Sequence, residues 1–340
     1  MNYISAFKTS VQQNADKPAL VDFDGTRQTT YKELDRLSSK VAGKLHAAGC
    51  SKGSFIPVLM ERRMEYMAAY LGILKAGCVV VPLVPEIPKE RISYITNHCD
   101  AKLTIDISFF DDIETYEPFE DLAGDDEPAL LIYTSGSTGT PKGILHTVSS
   151  LSHASLRYPP FSQSEDGSLN FAAAAPLSFI AHVNEYLSQF LHGGAVHILS
   201  NTVLRSVDLL QTYFASRSIV NCLLPGQIVR SLTHPPDSLK KIVVTGEQIL
   251  NVPALKTYDV LYIYGQAETC GGITCFVINK EHSRPPVGKT ADETEILILD
   301  ENGNRVLPGI EGEICALGNF GVSYFKEPEL SRKTFVRTED

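Results

Sequence analysis

Apolar positions recur at helical spacing over residues 31–48, where Leu34, Leu37, Val41 and Leu45 share one face and Gly49 supplies a stop. A continuous apolar run at 55–60 predicts a buried strand, 64–75 a helix, and 79–83 another strand. Before them, 19–23 and 28–31 flank Asp24-Gly25 and predict an opening hairpin. The alternation continues with a short strand at 130–133, a helical pattern at 148–158, and strands at 219–224, 241–245 and 260–264. Strands alternating with helices indicate an α/β fold with a largely parallel sheet. The pattern changes at 295–318, where short strands and tight turns predict a small antiparallel β subdomain.

Ligands of open α/β sheets sit beyond the carboxyl ends of the strands. Three polar or glycine-bearing turns fall there, at 134–143, 245–248 and 265–269. The first, YTSGSTGTPKG (133–143), sets three glycines and five serine or threonine hydroxyls around one lysine. Glycine admits close backbone approach, and N–H and O–H groups donate to oxygen, so the composition points to a polyanion such as phosphate. It is not a Walker A loop: counted from Gly136, that motif wants glycine at Pro141 and serine or threonine at Gly143.

Composition bounds the remaining possibilities. A chain of 340 residues, 43% hydrophobic and 21% charged, is a folded protein large enough for two or three subdomains. Its net charge of −10, with no basic run, argues against a nucleic-acid partner. Seven dispersed cysteines without a CxxC pair read as reduced, mostly buried thiols, and the spacing of Cys270, Cys275 and His282 matches no zinc pattern. The start lacks a signal-peptide layout, and the apolar stretches 78–84 and 171–183 are too short to span a bilayer. A soluble, cytoplasmic protein without a membrane partner is therefore expected.

Taken together, the motifs resemble those of the adenylate-forming (AMP-binding) superfamily, which includes acyl-CoA synthetases and the adenylation domains of nonribosomal peptide synthetases. YTSGSTGTPKG is similar to its signature loop nearly residue for residue, and TYKEL (30–34) and LKAGCVVVPL (74–83) to its early motifs. TGEQ (245–248) resembles its adenine-side turn, YGQAET (264–269) its Tyr-Gly-x-x-Glu motif, and 312–335 the segment ending its large domain. Ser137 and the early motifs lean toward peptide-synthetase adenylation domains, while YGQAET leans toward acyl-CoA synthetases. The resemblance implies an N-terminal core of α/β subdomains (about 1–270) with a small antiparallel β subdomain (about 271–335). The family's ribose-binding Asp and its small C-terminal domain, which carries a catalytic lysine, would lie beyond residue 340.

The implied reaction is attack of a carboxylate on the α-phosphorus of ATP, giving an acyl-adenylate and pyrophosphate. Thr134, Ser135, Gly136, Ser137, Thr138, Gly139 and Lys142 would wrap the outer phosphates, with Lys142 as the cation. Glu268 would ligate Mg²⁺ and Thr269 would assist at the α-phosphate. Gly246, Glu247 and Gln248 would border adenine, against which Tyr264, followed by Gly265, would lay its ring. The family's adenine-contacting Asn is Tyr262 here, and His146 is either a structural histidine or a site residue. The acceptor would be a carrier-protein phosphopantetheine thiol or CoA, and a nucleotide-binding relative without turnover is the non-enzyme alternative.

The resemblance also carries a substrate pocket. Aligning FIAHVNEYLSQFLHGGAV (179–196) places Ile180 where α-amino-acid-activating domains hold an Asp for the substrate ammonium. The other lining positions are Ala181, Asn184, Leu224, Val243, Ile263, Gly271 and Gly272, with polar contacts only from Asn184 and His182. An apolar wall without a carboxylate suits an aryl, fatty, keto or hydroxy acid. The competing expectation is that another acid, such as Glu185, meets an amino group.

Overall fold

The computed structural model describes residues 2–134, 141–157, 167, 169–252, 257–290, 294–318 and 320–336. Helix α1 (Tyr3–Asn14) leads into the antiparallel hairpin β1 (Pro18–Val21) and β2 (Gln28–Thr30). Helix α2 (Tyr31–Ala47) follows at once. The TYKEL stretch is its capping box: Thr30 Oγ1 accepts from Glu33 N–H, and the Glu33 carboxylate accepts from Thr30 N–H. Strand β3 (Phe55–Leu59), helix α3 (Met64–Lys75) and strand β4 (Val79–Leu83) form a parallel crossover, then helix α4 (Lys89–His98) crosses back. The fully buried ammonium of Lys75 donates to the Asp35 carboxylate (2.7 Å), the Asp35 carbonyl (2.8 Å) and Ser39 Oγ (2.9 Å). A buried charge is tolerated when all its protons are so engaged.

Strands β5 (Pro128–Thr134) and β6 (Lys142–Thr147) form an antiparallel hairpin on either side of the glycine-rich loop, and helix α5 (Val148–Arg157) follows. The chain then enters a second sheet with β7 (Asn170–Ala173), helix α6 (Ala181–Leu191) and β8 (Ala195–Ile198). Helices α7 (Asn201–Leu204) and α8 (Val207–Ser216) precede β9 (Asn221–Leu223), helix α9 (Gly226–Ser231) and β10 (Lys241–Thr245). The sheet is completed by β11 (Asp259–Gln266), β12 (Gly271–Ile278) and β13 (Lys289–Thr290). Its order is β13-β12-β11-β10-β9-β7-β8-β1-β2, parallel from β11 to β1 and antiparallel at both edges.

The small two-stranded sheet pairs β14 (Glu295–Leu299) with β15 (Glu313–Leu317), as the 295–318 pattern predicts. The expected subdomain boundary near 271 needs correction, however. Strand β12 hydrogen-bonds along β11 over eight residues and belongs to the nine-stranded sheet. Strand β16 (Val322–Tyr324) returns to the five-stranded sheet, ordered β16-β6-β5-β4-β3, and helix α10 (Pro328–Thr334) follows it. Among the described residues no helix is long and apolar enough to cross a membrane.

Strands β11 and β12 approach unusually closely where they join. Gly265 stands opposite Gly272, and a Cβ at 265 would lie 2.0 Å from the Gly271 carbonyl oxygen. Gly265→Ala is therefore expected to lower unfolding stability by about 2 kcal/mol or more, as overpacking against backbone does. Gly124→Ala, whose Cβ would meet nothing nearer than Glu127 Oε2 at 3.6 Å, is the control and is expected to change little. Urea denaturation of the two variants checks this. Equal midpoints would show that the strands separate freely at that point.

Candidate functional site

The first half of the site grows from the β5–β6 hairpin. Thr134 and Lys142 are register partners across it, so both stand at the base of the glycine-rich loop. Ser135, Gly136, Ser137, Thr138 and Gly139 lie outside the described residues. Lys142 is half-buried and makes no ion pair among the described residues. The hairpin base is firmly held: Tyr133 Oη lies 2.9 Å from His98 Nδ1, and Phe325 N–H donates to the Gly143 carbonyl. A Cβ at Gly143 would come within 2.9 Å of Leu131, 3.2 Å of Tyr133 and 3.3 Å of Phe325. That glycine serves packing beneath the loop.

The second half comes from the neighbouring carboxyl ends of β10 and β11. These strands are parallel with Thr245 beside Ile263, so the Gly246–Glu247–Gln248 turn and Tyr264 emerge side by side. Gly246 has φ +82° and open space where a Cβ would sit, while Glu247 Oε1 accepts from Gly226 N–H at 2.8 Å. Tyr264 is exposed, whereas Tyr262, two residues earlier on the same face, is buried in the core. A flat ring beside a glycine turn can stack on a planar base.

Beyond β11 a single 3₁₀ turn, Ala267–Thr269, reverses the chain into β12. Cys270 adopts a left-handed φ of +54° and Gly271 a φ of +122°, which makes the reversal tight. Glu268 is half-buried at the outer side of this turn, and its Oε1 accepts from the Tyr324 hydroxyl at 2.9 Å. Thr269 is buried, and its hydroxyl lies 2.6 Å from the Gly271 carbonyl and 3.0 Å from that of Gln266. That hydroxyl helps close the turn, at the position where assistance at the α-phosphate is expected. His146 is buried on β6, opposite Val322, and burial lowers its imidazole to about 4 while the Ala267 backbone opposes the shift. Burial thus favours its neutral form.

The substrate-side positions are brought together only in part. Ala181, Val243 and Ile263 share a cluster with Phe171, Ala175 and Leu223. Ile180 is partly buried at the N-cap of α6, and Asn184 is buried on that helix. Leu224 departs from the expectation, because it packs with Ile242 and Val244 on the opposite side of the sheet from Val243. Gly272, expected to line the pocket, leaves no free room there. A Cβ at Gly272 would lie 2.1 Å from Ile263 Cγ2, so that side chain already fills the space.

Two acid–base groups of α6 are engaged internally. Glu185, fully buried, accepts from Ala174 N–H (2.8 Å) and from Ala175 N–H (2.9 and 3.1 Å). Burial raises its carboxyl to about 8, and those amides oppose the shift. His182 has Nδ1 2.6 Å from the Phe179 carbonyl and Nε2 3.2 Å from Tyr66 Oη, so it offers no polar contact to a pocket. Sequence reasoning missed Tyr324, whose contact with Glu268 spans 56 residues and leaves no local signal.

A family model described as AMP-binding enzyme matches residues 7–323. Bacitracin synthase 1 of Bacillus licheniformis is 30% identical over 351 residues, which is 97% of this chain and 7% of that protein. Tyrocidine synthase 2 of Brevibacillus parabrevis is 30% identical over 370 residues, 97% of this chain and 10% of that protein. The chain thus spans a tenth or less of the length of these relatives. The N-terminal subdomain of Klebsiella oxytoca NpsA, in complex with 3-hydroxybenzoyl-AMSN, has a TM-score of 0.86 at 22% identity, covering 100% of this chain and 93% of that one. NpsA-ThdA, an artificially fused adenylation–PCP di-domain from the same organism, also scores 0.86, at 23% identity, covering 100% and 73%. At such identities the structural likeness concerns the fold. With a model matched over nearly its whole length and the motif-bearing turns gathered at the ends of two sheets, the chain belongs to the AMP-binding enzyme family.

Proposed function

We propose that the chain activates a carboxylic acid as its adenylate, for transfer to a carrier-protein thiol. The observation that carries this reading is the convergence of a lysine, a carboxylate and an adenine-sized platform from separate elements. Lys142 and Thr134 come from one sheet, Glu268, Tyr264 and the 246–248 turn from the other, and the Tyr324–Glu268 hydrogen bond joins the two. In the reaction a carboxylate oxygen bonds to the α-phosphorus of ATP as the bond to the β-bridging oxygen breaks, releasing pyrophosphate. Both reactants are anions, so cations and oriented donors must offset the charge that gathers. Lys142 would hold the outer phosphates, and Tyr264 with Gly246 would seat the base. The peptide synthases among the relatives and the fused adenylation–PCP protein support a carrier-protein acceptor.

The residues fit a magnesium ion that arrives with the nucleotide. Among the described residues no group of three or more His, Cys, Asp or Glu could cage a metal. Glu268 instead offers one hard carboxylate whose described partner is a neutral phenol, the donor set of an ion shared with phosphates. When bound, Mg²⁺ would neutralise charge on the departing pyrophosphate. Glu268→Gln is expected to lower kcat by about a hundredfold and to raise KM for ATP by less, because the carboxylate meets the cation in the bound state but counts most as charge develops on the pyrophosphate. Lys142→Ala is expected mainly to raise KM for ATP, by about tenfold. Pyrophosphate-exchange kinetics check both. Wild-type kinetics in the Glu268→Gln protein would sink the metal assignment.

For the acid, the reading favours a substrate without an α-amino group. The resemblance aligns Ile180 with the ammonium-binding Asp of α-amino-acid-activating domains, and both Glu185 oxygens accept from backbone amides. An ammonium would be buried unpaired there, a heavy cost. The similar NpsA subdomain holds hydroxybenzoyl and hydroxyanthranilyl adenylate analogues, which agrees with an aryl or related acid. Phenylpropionate and phenylpyruvate are expected to support exchange at least about tenfold better than phenylalanine, on the scale of one unpaired buried polar group. A tenfold preference for the amino acid would overturn the substrate reading and leave the adenylation chemistry standing.

A further inference from the structure

Tyr324 is the residue that connects the two halves of the site. It ends β16 and stands opposite Ile144 of β6, two positions along from Lys142, while its hydroxyl reaches across to Glu268 Oε1 at 2.9 Å. Its own placement is over-determined. Tyr324 N–H donates to Ser331 Oγ at 2.9 Å, the next residue's N–H donates to the Gly143 carbonyl, and its ring lies 5.3 Å from that of Phe335. In this contact the phenol is the donor and the carboxylate the acceptor. Glu268 itself has no cationic partner among the described residues and hangs from a single 3₁₀ turn.

We propose that Tyr324 is a positioning residue for the reaction: its hydroxyl holds the Glu268 carboxylate in one rotamer, leaving the other oxygen for the nucleotide-borne cation. This rests on the reading of Glu268 given above. The consequence is that the β16–α10 segment, which cradles the tyrosine, sets the geometry of an acid carried by the other sheet. Removing the hydroxyl leaves the ring in place but frees the side-chain torsions of Glu268, whose ordering must then be recovered on binding.

Tyr324→Phe isolates that effect. Manganese affinity in the presence of ATP, followed by electron paramagnetic resonance, is expected to weaken by about three- to tenfold, on the scale of one rotamer-rich side chain left unordered. ATP affinity in EDTA is expected to be unchanged, because the phenol acts only through the carboxylate. In a Glu268→Gln background the same substitution is expected to add nothing. Unchanged manganese affinity in Tyr324→Phe, or an equal loss with and without Glu268, would overturn the proposal and leave Tyr324 a packing residue. If Glu268→Gln alone leaves manganese affinity intact, the metal reading of Glu268 fails and this proposal falls with it. That outcome is separable from the others because it does not involve Tyr324.

Discussion

At residue 265 the backbone of β11 lies so close to β12 that a single added carbon would sit 2.0 Å from a carbonyl oxygen. This contact forces the chain to reverse within one 3₁₀ turn, with left-handed backbone at Cys270 and Gly271 just after it. The Thr269 hydroxyl is folded into the turn to satisfy its carbonyls, and Glu268 is thrown to the outside. A carboxylate held this way has little freedom to leave the junction between the sheets. The position of every other site group is meaningful only relative to it.

The two sheets divide the work by charge. The five-stranded sheet brings Lys142 at the base of the glycine-rich loop, and the nine-stranded sheet brings Glu268 and the exposed Tyr264. Between them the buried groups are kept electrically quiet. His146 and His182 are each lowered to about 4 by burial, and the Lys75 charge is matched by Asp35. Glu185, pinned by two backbone amides at the end of β7, braces the start of α6 in the same manner.

Much of this was legible in the chain. Period-3.6 and apolar-run patterns located α2, α3, β3, β4 and β10 because each buries one continuous face. The turns at 245–248 and 264–269 were found because glycine and polar residues interrupt apolar strands there. What stayed hidden depends on contacts between distant residues. The pairing of β12 with β11 and of β16 with β6 is long-range, so the boundary placed near 271 cut through a sheet. Gly272 looked like space because its filling side chain, Ile263, sits on another strand, and Leu224 looked like a wall because one-residue alternation at a strand end is ambiguous. Thr269 and His182 carry chemistry-bearing groups, but local backbone partners engage them.

The central claim is that a carboxylate oxygen attacks the α-phosphorus. It is tested most directly by incubating the protein with ATP, Mg²⁺, hydroxylamine and an aryl acid labelled with ¹⁸O in its carboxyl group. Hydroxylamine cleaves an acyl-adenylate at the acyl carbon, so the bridging oxygen remains on phosphorus. The account requires one ¹⁸O atom per AMP released, together with the acyl hydroxamate. Label in orthophosphate accompanied by ADP, or AMP free of label, would contradict it.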